Sequence, residues 1–494
     1  MNTDKNIIDL LIVGGGINGA GIACDAIGRG LSVALFEAQD FACATSSASS
    51  KLLHGGLRYL EYYEFRLVAE ALAEREVLLK KAPHIVSPMR FVLPHRAFLR
   101  SACLIRLGLF LYDRLSKRNS LSGSEQIDLQ GTNVLQKQFV CGFEYSDCVV
   151  DDARLVLLNI LHAQQLGASV NNYCQVTQAK RVDGLWLVTL FDAQSQQTFQ
   201  KQARVLVNAT GPWVCQFIDQ QLKLNSEQQV RLIKGSHIIL PRLYNQPQAY
   251  ILQNEDKRIV FVIPYLNKFS LVGTTDEEYQ GDPRLVSISK KESQYLLDVV
   301  NGHFIKQTRF DDIVASYSGV RPLYEDKHSS AQAVTRDYKL VLQAQEGEAP
   351  LVSIIGGKIT TYRKLAESVC RLITPYFPTI KEGGTEKEPL PGGDFSCSRE
   401  ALLDELLTEY PWVDPKVGGR YIRQFGTLSW LLLADKRDLG TYFGADLYQV
   451  EVDYLVNHEF VTCLDDLIWR RTKVGLFLSD IEQQALQQYL KKIC

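Results

Sequence analysis

The residues Gly14-Gly15-Gly16-Ile17-Asn18-Gly19 follow the apolar run Leu10 to Val13 and open a small-residue stretch, NGAGIACDAIGRG. The spacing fits G-x-G-x-x-G between a strand and a helix, where missing side chains let backbone amides and the helix N-terminus approach a pyrophosphate. Glu37 ends the next apolar run, Leu31 to Phe36, where an acid is positioned to bind a ribose hydroxyl. Together these features point to a dinucleotide. Ala209-Thr210-Gly211 after a strand and Gly356-Gly357-Lys358 before a helix would add two loops at the cofactor's edge. Each alone reads as a helix-opening turn; with the first motif they favour FAD, the longer and more enveloped cofactor, over NAD.

These residues need elements to hold them. Leu10 to Val13, the helix after it and Leu31 to Phe36 form a strand, helix, strand unit of the parallel α/β kind. EFRLVAEALAEREVLLKK puts Phe65, Val68, Leu72 and Leu79 on one helical face and stops near Pro83. Asp151 and Asp152 mark the start of another helix, DDARLVLLNILHAQQLGA. Val176 to Val207 alternates as a β-meander does, and Arg204 to Asn208 leads into the turn ATGPW. SHIILP, RIVFVIPYL and KFSLVGTT read as strands of a second, antiparallel sheet. LVSIIGGKITTYRKLAESVCRLI returns to strand, glycine turn and helix, which makes the cofactor domain discontinuous, and beyond Gly392 and Gly393 the chain reads as mainly helical.

The expected architecture is therefore α/β. A Rossmann-like FAD-binding domain (1–84, 148–230 and 341–390) carries a substrate-domain insertion with a basic amphipathic segment (85–147). An antiparallel-sheet substrate domain follows (231–340), then a helical C-terminal domain (391–494). A chain of 494 residues is long enough for such a division. With 46% hydrophobic and 22% charged residues it is ordinary for a globular enzyme. A net charge of -2 gives no general pull toward nucleic acid, and none is expected as a partner. Eleven cysteines without C-x-x-C pairs or zinc-ligand spacing read as reduced thiols in the cytoplasm, and no metal site is expected. The N-terminus reads as a first strand, not an export signal, and no run approaches the length needed to span a bilayer.

The stretches TSSASSKLLHGGLRYLEYYEFRLVAEALAEREVLL, NATGPW, RLIKGSHIILP, VGTTDEEYQGDP, YSGVRPL, TRDY and GGKITTYRKLAE resemble the aerobic, FAD-dependent glycerol-3-phosphate dehydrogenases of bacteria. The similarity continues to WRRTKVGLFL near the end and is weakest over 178–229 and 377–449. The resemblance implies that Gly14, Gly16, Ile17, Asn18, Gly19, Glu37 and Ala38 hold the ADP half of FAD. It gives Thr45, Ser46, Ser49, Lys51, Leu52, His54 and Gly55 to the phosphates and the flavin approach, and Val176 to the adenine side. Ala209, Thr210, Gly211, Trp213, Gly357, Lys358, Ile359 and Thr360 would complete the flavin pocket. Read without the family, 46–50 is a serine loop.

A phosphoester substrate needs fixed cations. Arg321 and Arg336 are the candidates, since a guanidinium grips two phosphate oxygens, although taken alone each reads as a surface ion-pair former. The resemblance implies that Arg58 and Tyr59 close the pocket beside the flavin and that Thr274 hydrogen-bonds the substrate. The implied reaction oxidises sn-glycerol 3-phosphate to dihydroxyacetone phosphate, with hydride passing to FAD and a base taking the hydroxyl proton. His237 is the first candidate base because imidazole titrates near working pH, with His54 its rival and a structural histidine the bland alternative. Lys358 would stabilise charge on the reduced flavin.

RAFLRSACLIRLGLFLYDRLSKR, with Arg100, Arg106, Arg114, Lys117 and Arg118 beside its leucines, fits a helix lying on anionic lipid. Its alternative is an internal helix with a basic rim. The expected acceptor is ubiquinone or menaquinone, reached from a peripheral position on the inner face of the cell membrane. Rival readings are an oxygen-using glycerol-3-phosphate oxidase, an amine or amino-acid oxidase, and a non-catalytic flavin scaffold. The sequence sets neither the quinone nor the oligomeric state, a homodimer being one option.

Overall fold

The computed structural model describes residues 7–96, 101–116, 120–226, 228–256, 258–325 and 337–493. Arg100, Lys117, Arg118 and Arg336 lie outside the described residues, as does the side chain of Arg58. Two large sheets and a helical unit make up the rest. The first sheet runs in the order Lys339–Gln343, Leu351–Ile355, Gln197–Asn208, Ile7–Val13, Val33–Phe36, Ser169–Asn171. From Leu351–Ile355 to Ser169–Asn171 its strands are parallel.

Such a sheet must be covered on both faces. The alternation of the first strand does this directly: Leu10 and Ile12 enter one core with Val205 and Val207, while Leu11 and Val13 enter the opposite one with Phe36 and Leu206. The helix Ile17–Gly28 packs close because its face is small; a Cβ on Gly21 would lie 2.5 Å from the ring of Tyr362. The expected meander forms from Cys174–Val182, Leu185–Asp192 and Gln197–Asn208, antiparallel in sequence order. Its last strand continues into the parallel sheet, with Asn208 beside Val13, so the turn after Asn208 lies against the glycine turn after Val13.

The second sheet is largely antiparallel and has Gln229–Pro241 near one end, paired with Phe269–Gly273 on one side and Ala315–Glu325 on the other. It also takes in Val86–Pro94 and Cys141–Val150, with Val86–Pro94 parallel to Ala249–Gln253. Beyond residue 398, helices such as Arg399–Glu409, Pro415–Phe425 and Gln449–His458 enclose a separate core around Leu406, Tyr421, Phe425 and Leu467.

One helix departs from its hydrophobic pattern. In Phe65–Lys81, Val68 and Leu72 are buried, but Phe65 is 40% exposed while Glu74, Arg75 and Glu76 are buried. Two of these charges are paired across the fold: Arg75 with Asp147, and Glu74 with Arg363. A buried charge is tolerable when its partner is buried with it.

Candidate active site

The strand end at Val13 turns at Gly14, whose φ of +111° and whose 2.5 Å clearance between a built Cβ and Ala209 O admit only glycine. At Gly19 a Cβ would lie 1.9 Å from Gly14 O, so the helix can start this close only without a side chain. Gly16 caps the helix without a side-chain bond of its own, and Ser46 Oγ accepts from Ile17 N at 3.0 Å. The Glu37 carboxylate accepts from Gly15 N at 2.6 Å and Gln39 N at 2.9 Å; burial pushes it up from its ordinary value, and these amides pull it back.

A cleft of about 710 Å³ follows from this turn. Gly14, Gly16, Ile17, Asn18, Glu37, Ala38, Thr45 and Ser46 line its first part, with Val176 across from them. Ala209, Thr210, Gly211, Trp213, Gly357 and Lys358 line the remainder, and Tyr59 and Arg321 stand at its far wall. Asn18 ties the first turn to the third by donating from Nδ2 to Gly356 O at 3.0 Å, while its buried Oδ1 has no partner among the described residues. A glycine turn at a helix start and an acid at the second strand end suit a dinucleotide whose pyrophosphate meets that start.

Beside the cleft lies a smaller cavity of about 170 Å³, and Tyr59, Asp276 and Arg321 belong to both walls. Ser50, His54, Thr274 and Arg258 give it polar groups; Leu57, Phe91, Ile251 and Phe261 form an apolar back. Arg321 comes from the strand Ala315–Glu325 and pairs with Asp276 at 2.9 Å, both half exposed. Lys358 Nζ stands 4.1 Å over the Tyr59 ring, so the cation is fixed at the junction by a flat π face. This is a small, partly polar space opening onto a dinucleotide cleft, with Arg321 and Lys358 at the opening.

His237 stands behind this wall. Its Nε2 is 2.9 Å from Ser50 Oγ, its ring stacks on Tyr317 at 4.8 Å, and its buried Nδ1 has no partner among the described residues. Burial first, then the nearby charges of Lys51 and Arg321, push the imidazole down to about 3. Burial thus favours the neutral ring, which reaches the cavity through Ser50.

Several expected site residues lie behind the walls. Gly19, Leu52, Gly55, Ile359 and Thr360 shape backbone or core, and Gly55 N donates to Tyr112 Oη at 2.9 Å. Lys51 Nζ is 2.7 Å from the buried Asp152, which also accepts from Ser49 Oγ at 2.7 Å. Sequence reasoning missed Ser50, Asp276, Arg231, Arg284 and Cys43 in the walls, and Asp152 beneath them. Ser50, Asp276 and Arg231 sat within motifs already singled out, SSASSK, GTTDEE and RLIKGSHIILP, and Asp152 was noted only as the start of a helix.

Comparison with known proteins fits this geometry. Residues 9–363 match the family model described as FAD dependent oxidoreductase, and residues 384–493 match the C-terminal domain of alpha-glycerophosphate oxidase. The chain is 55% identical to the aerobic glycerol-3-phosphate dehydrogenase of Escherichia coli, over 98% of this chain and 97% of that one. It is 46% identical to a D-erythritol 1-phosphate dehydrogenase of Brucella abortus over 97% of each. Among solved structures, the glycerol-3-phosphate dehydrogenase of Bacillus halodurans complexed with FAD superposes with a TM-score of 0.78 at 25% identity, covering 99% of this chain and 94% of that one. The cofactor for which the cleft is built is FAD.

Proposed function

The chain belongs to the FAD-dependent oxidoreductase family that contains the aerobic glycerol-3-phosphate dehydrogenases, and from that premise we propose that it oxidises sn-glycerol 3-phosphate to dihydroxyacetone phosphate. The observation that carries this reading is the junction of the two cavities at Tyr59, Asp276 and Arg321, which offers a fixed cation to a small anionic alcohol beside the cofactor cleft. When bound, FAD supplies the chemistry of a hydride acceptor. Everything else belongs to the chain. Arg321 exchanges Asp276 for the substrate phosphate, with Arg58 and Arg336 as further cations. Tyr59 and Thr274 orient the polyol. The hydroxyl proton moves to Ser50 Oγ and on to His237 Nε2, which the dianionic phosphate makes more basic by offsetting Lys51 and Arg321. Lys358 supplies positive charge where the reduced cofactor gains negative charge.

The electrons go to a membrane quinone, ubiquinone or menaquinone, with the enzyme lying peripherally on the cytoplasmic face of the membrane. No helix among the described residues is long and apolar enough to cross a bilayer. Support for surface docking comes from the helix Ala102–Arg114, which exposes Leu104, Leu107, Phe110 and Leu111, with Arg114 lying 3.8 Å over the Phe110 ring. Arginines beside an apolar stripe suit the headgroup layer. Flotation with anionic vesicles should fall for the double variant Arg106→Glu, Arg114→Glu, and undiminished binding would remove this helix as the anchor.

The activity is tested by giving purified holoenzyme sn-glycerol 3-phosphate and a short-chain quinone. Quinone reduction coupled to dihydroxyacetone phosphate is expected; neither product forming, with the ester in excess, contradicts the reading. The oxidase named in the C-terminal family description favours a second reading, with oxygen as acceptor. Stoichiometric hydrogen peroxide under air would establish it.

A further inference from the structure

The WRRTK segment at 469–473 lines neither cavity: among the described residues, none that lines either one lies beyond Lys358. We infer that Arg470 and Arg471 are positioning residues for FAD, through which the C-terminal helical unit locks the loop that forms the ADP side of the cleft. The inference needs only that the chain binds FAD and is independent of the substrate.

The loop after the second strand faces two ways. Residues 37–39 and 42–46 line the cleft, whereas Asp40 and Phe41 point away from it and are 1% exposed. Arg471 takes Asp40 with both terminal nitrogens, Nη1 to Oδ2 at 2.7 Å and Nη2 to Oδ1 at 2.8 Å, and Arg470 Nε adds a third bond. Arg471 is 2% exposed and is oriented by donating from Nε to Glu459 O at 2.9 Å. Phe41 packs edge-on against Phe460 at 5.1 Å, and its ring also fills the space above Gly15, where a Cβ would lie 2.5 Å away. The two anchors are thus the reverse side of the residues that meet the cofactor.

A second tie reaches the neighbouring segment of the lining. Tyr173 donates from its hydroxyl to Asp466 Oδ1 at 2.7 Å and from its N–H to Gln39 O at 2.8 Å, and it directly precedes the segment that brings Gln175 and Val176 to the cleft. Asp466 in turn holds Arg470 Nη2. Both segments of the ADP side therefore end on the helical turn Asp466–Arg471. A bidentate guanidinium fixes direction as well as distance, which the small residues Ala42, Cys43 and Ala44 of this loop do not do for themselves. Removing the Asp40 charge leaves the buried Arg471 guanidinium with only carbonyl acceptors, Glu459 O and Phe460 O, so the loop must move to hydrate it.

The test is FAD release after dilution, read as the gain in free-flavin fluorescence. Asp40→Asn keeps the shape and removes the charge. It should release FAD at least tenfold faster than wild type, with the KM for sn-glycerol 3-phosphate at saturating FAD within twofold, and Arg471→Lys should fall between them. The core variant Leu406→Ala, in the same helical unit, separates positioning from general weakening: it should lower Tm and keep the wild-type release rate. Wild-type release from folded Asp40→Asn, or equal acceleration in Leu406→Ala, overturns the inference. Should Asp40→Asn fail to fold, Arg470→Gln serves, with at least threefold faster release expected and an unchanged rate overturning it.

Discussion

The two sides of the site are made of different materials. On the cofactor side, the turns after Val13, Asn208 and Ile355 present backbone amides and glycines, supported by one carboxylate, Glu37. On the proposed substrate side, the groups are side chains from two strands, His237 and Arg321, and from two connections, Ser50 and Thr274. Beneath these strands, Glu292 collects Lys234 Nζ at 2.7 Å, Ser236 Oγ at 2.9 Å and Thr275 Oγ1 at 2.8 Å. At Gly14 and Gly19 the first side tolerates no added atoms. The second tolerates no lost charges. A dinucleotide is gripped by geometry, whereas a small phosphoester must be gripped by electrostatics, which needs partners brought together from far along the chain.

The most severe break in this contrast is Gly19→Ala. Its Cβ has 1.9 Å to Gly14 O, so the helix start must shift and the protein should purify without its yellow chromophore; a normal flavin content would show that the turn has slack. On the other side, His237→Ala should retain FAD and slow flavin reduction by about 100-fold, in the range for a lost general base. A wild-type single-turnover rate would remove His237 from the proton path. Arg321→Ala should raise the KM for the phosphoester about tenfold, or about 1.4 kcal/mol, with flavin content unchanged; an unaltered KM would refute the phosphate role.

The smallest effect concerns the support under the substrate side. Burial opposes ionisation of Glu292, but Lys234 and the surrounding donors lower it from 4.5 to about 2. A carboxyl depressed in the folded state stabilises above its unfolded value and loses that contribution as pH falls through the folded one. The Tm difference between wild type and Glu292→Gln should therefore be full above pH 4.5 and narrow progressively toward pH 2. A difference that stays constant over this range would mean that the carboxylate charge is not what braces these strands.

The same contrast explains what could be read from the sequence. The glycine turns, the meander ending at Asn208 and the strand, turn and helix around Gly356 declare themselves locally, because a positive φ or a close approach restricts the residue at that position. The helix Phe65–Lys81 was legible as a helix but not in its packing: Phe65 is exposed while Glu74 and Arg75 are buried against Arg363 and Asp147, partners that no periodicity indicates. His237 drew attention for a basicity that its burial lowers, and its link to the cavity, Ser50, lay unremarked in a serine loop. Asp40 and Arg471 meet across 431 positions of the chain, and neither residue type signals its partner.

The central claim is that a cation-gated cavity presents the middle carbon of a three-carbon phosphoester to an enclosed flavin. Anaerobic mixing of the purified holoenzyme with sn-glycerol 3-phosphate, followed by flavin absorbance, tests it most directly. The account predicts rapid bleaching with the ester and far slower bleaching with glycerol, which lacks the phosphate that Arg321 holds. A flavin that stays oxidised with the ester in excess, or that glycerol bleaches equally fast, would contradict it.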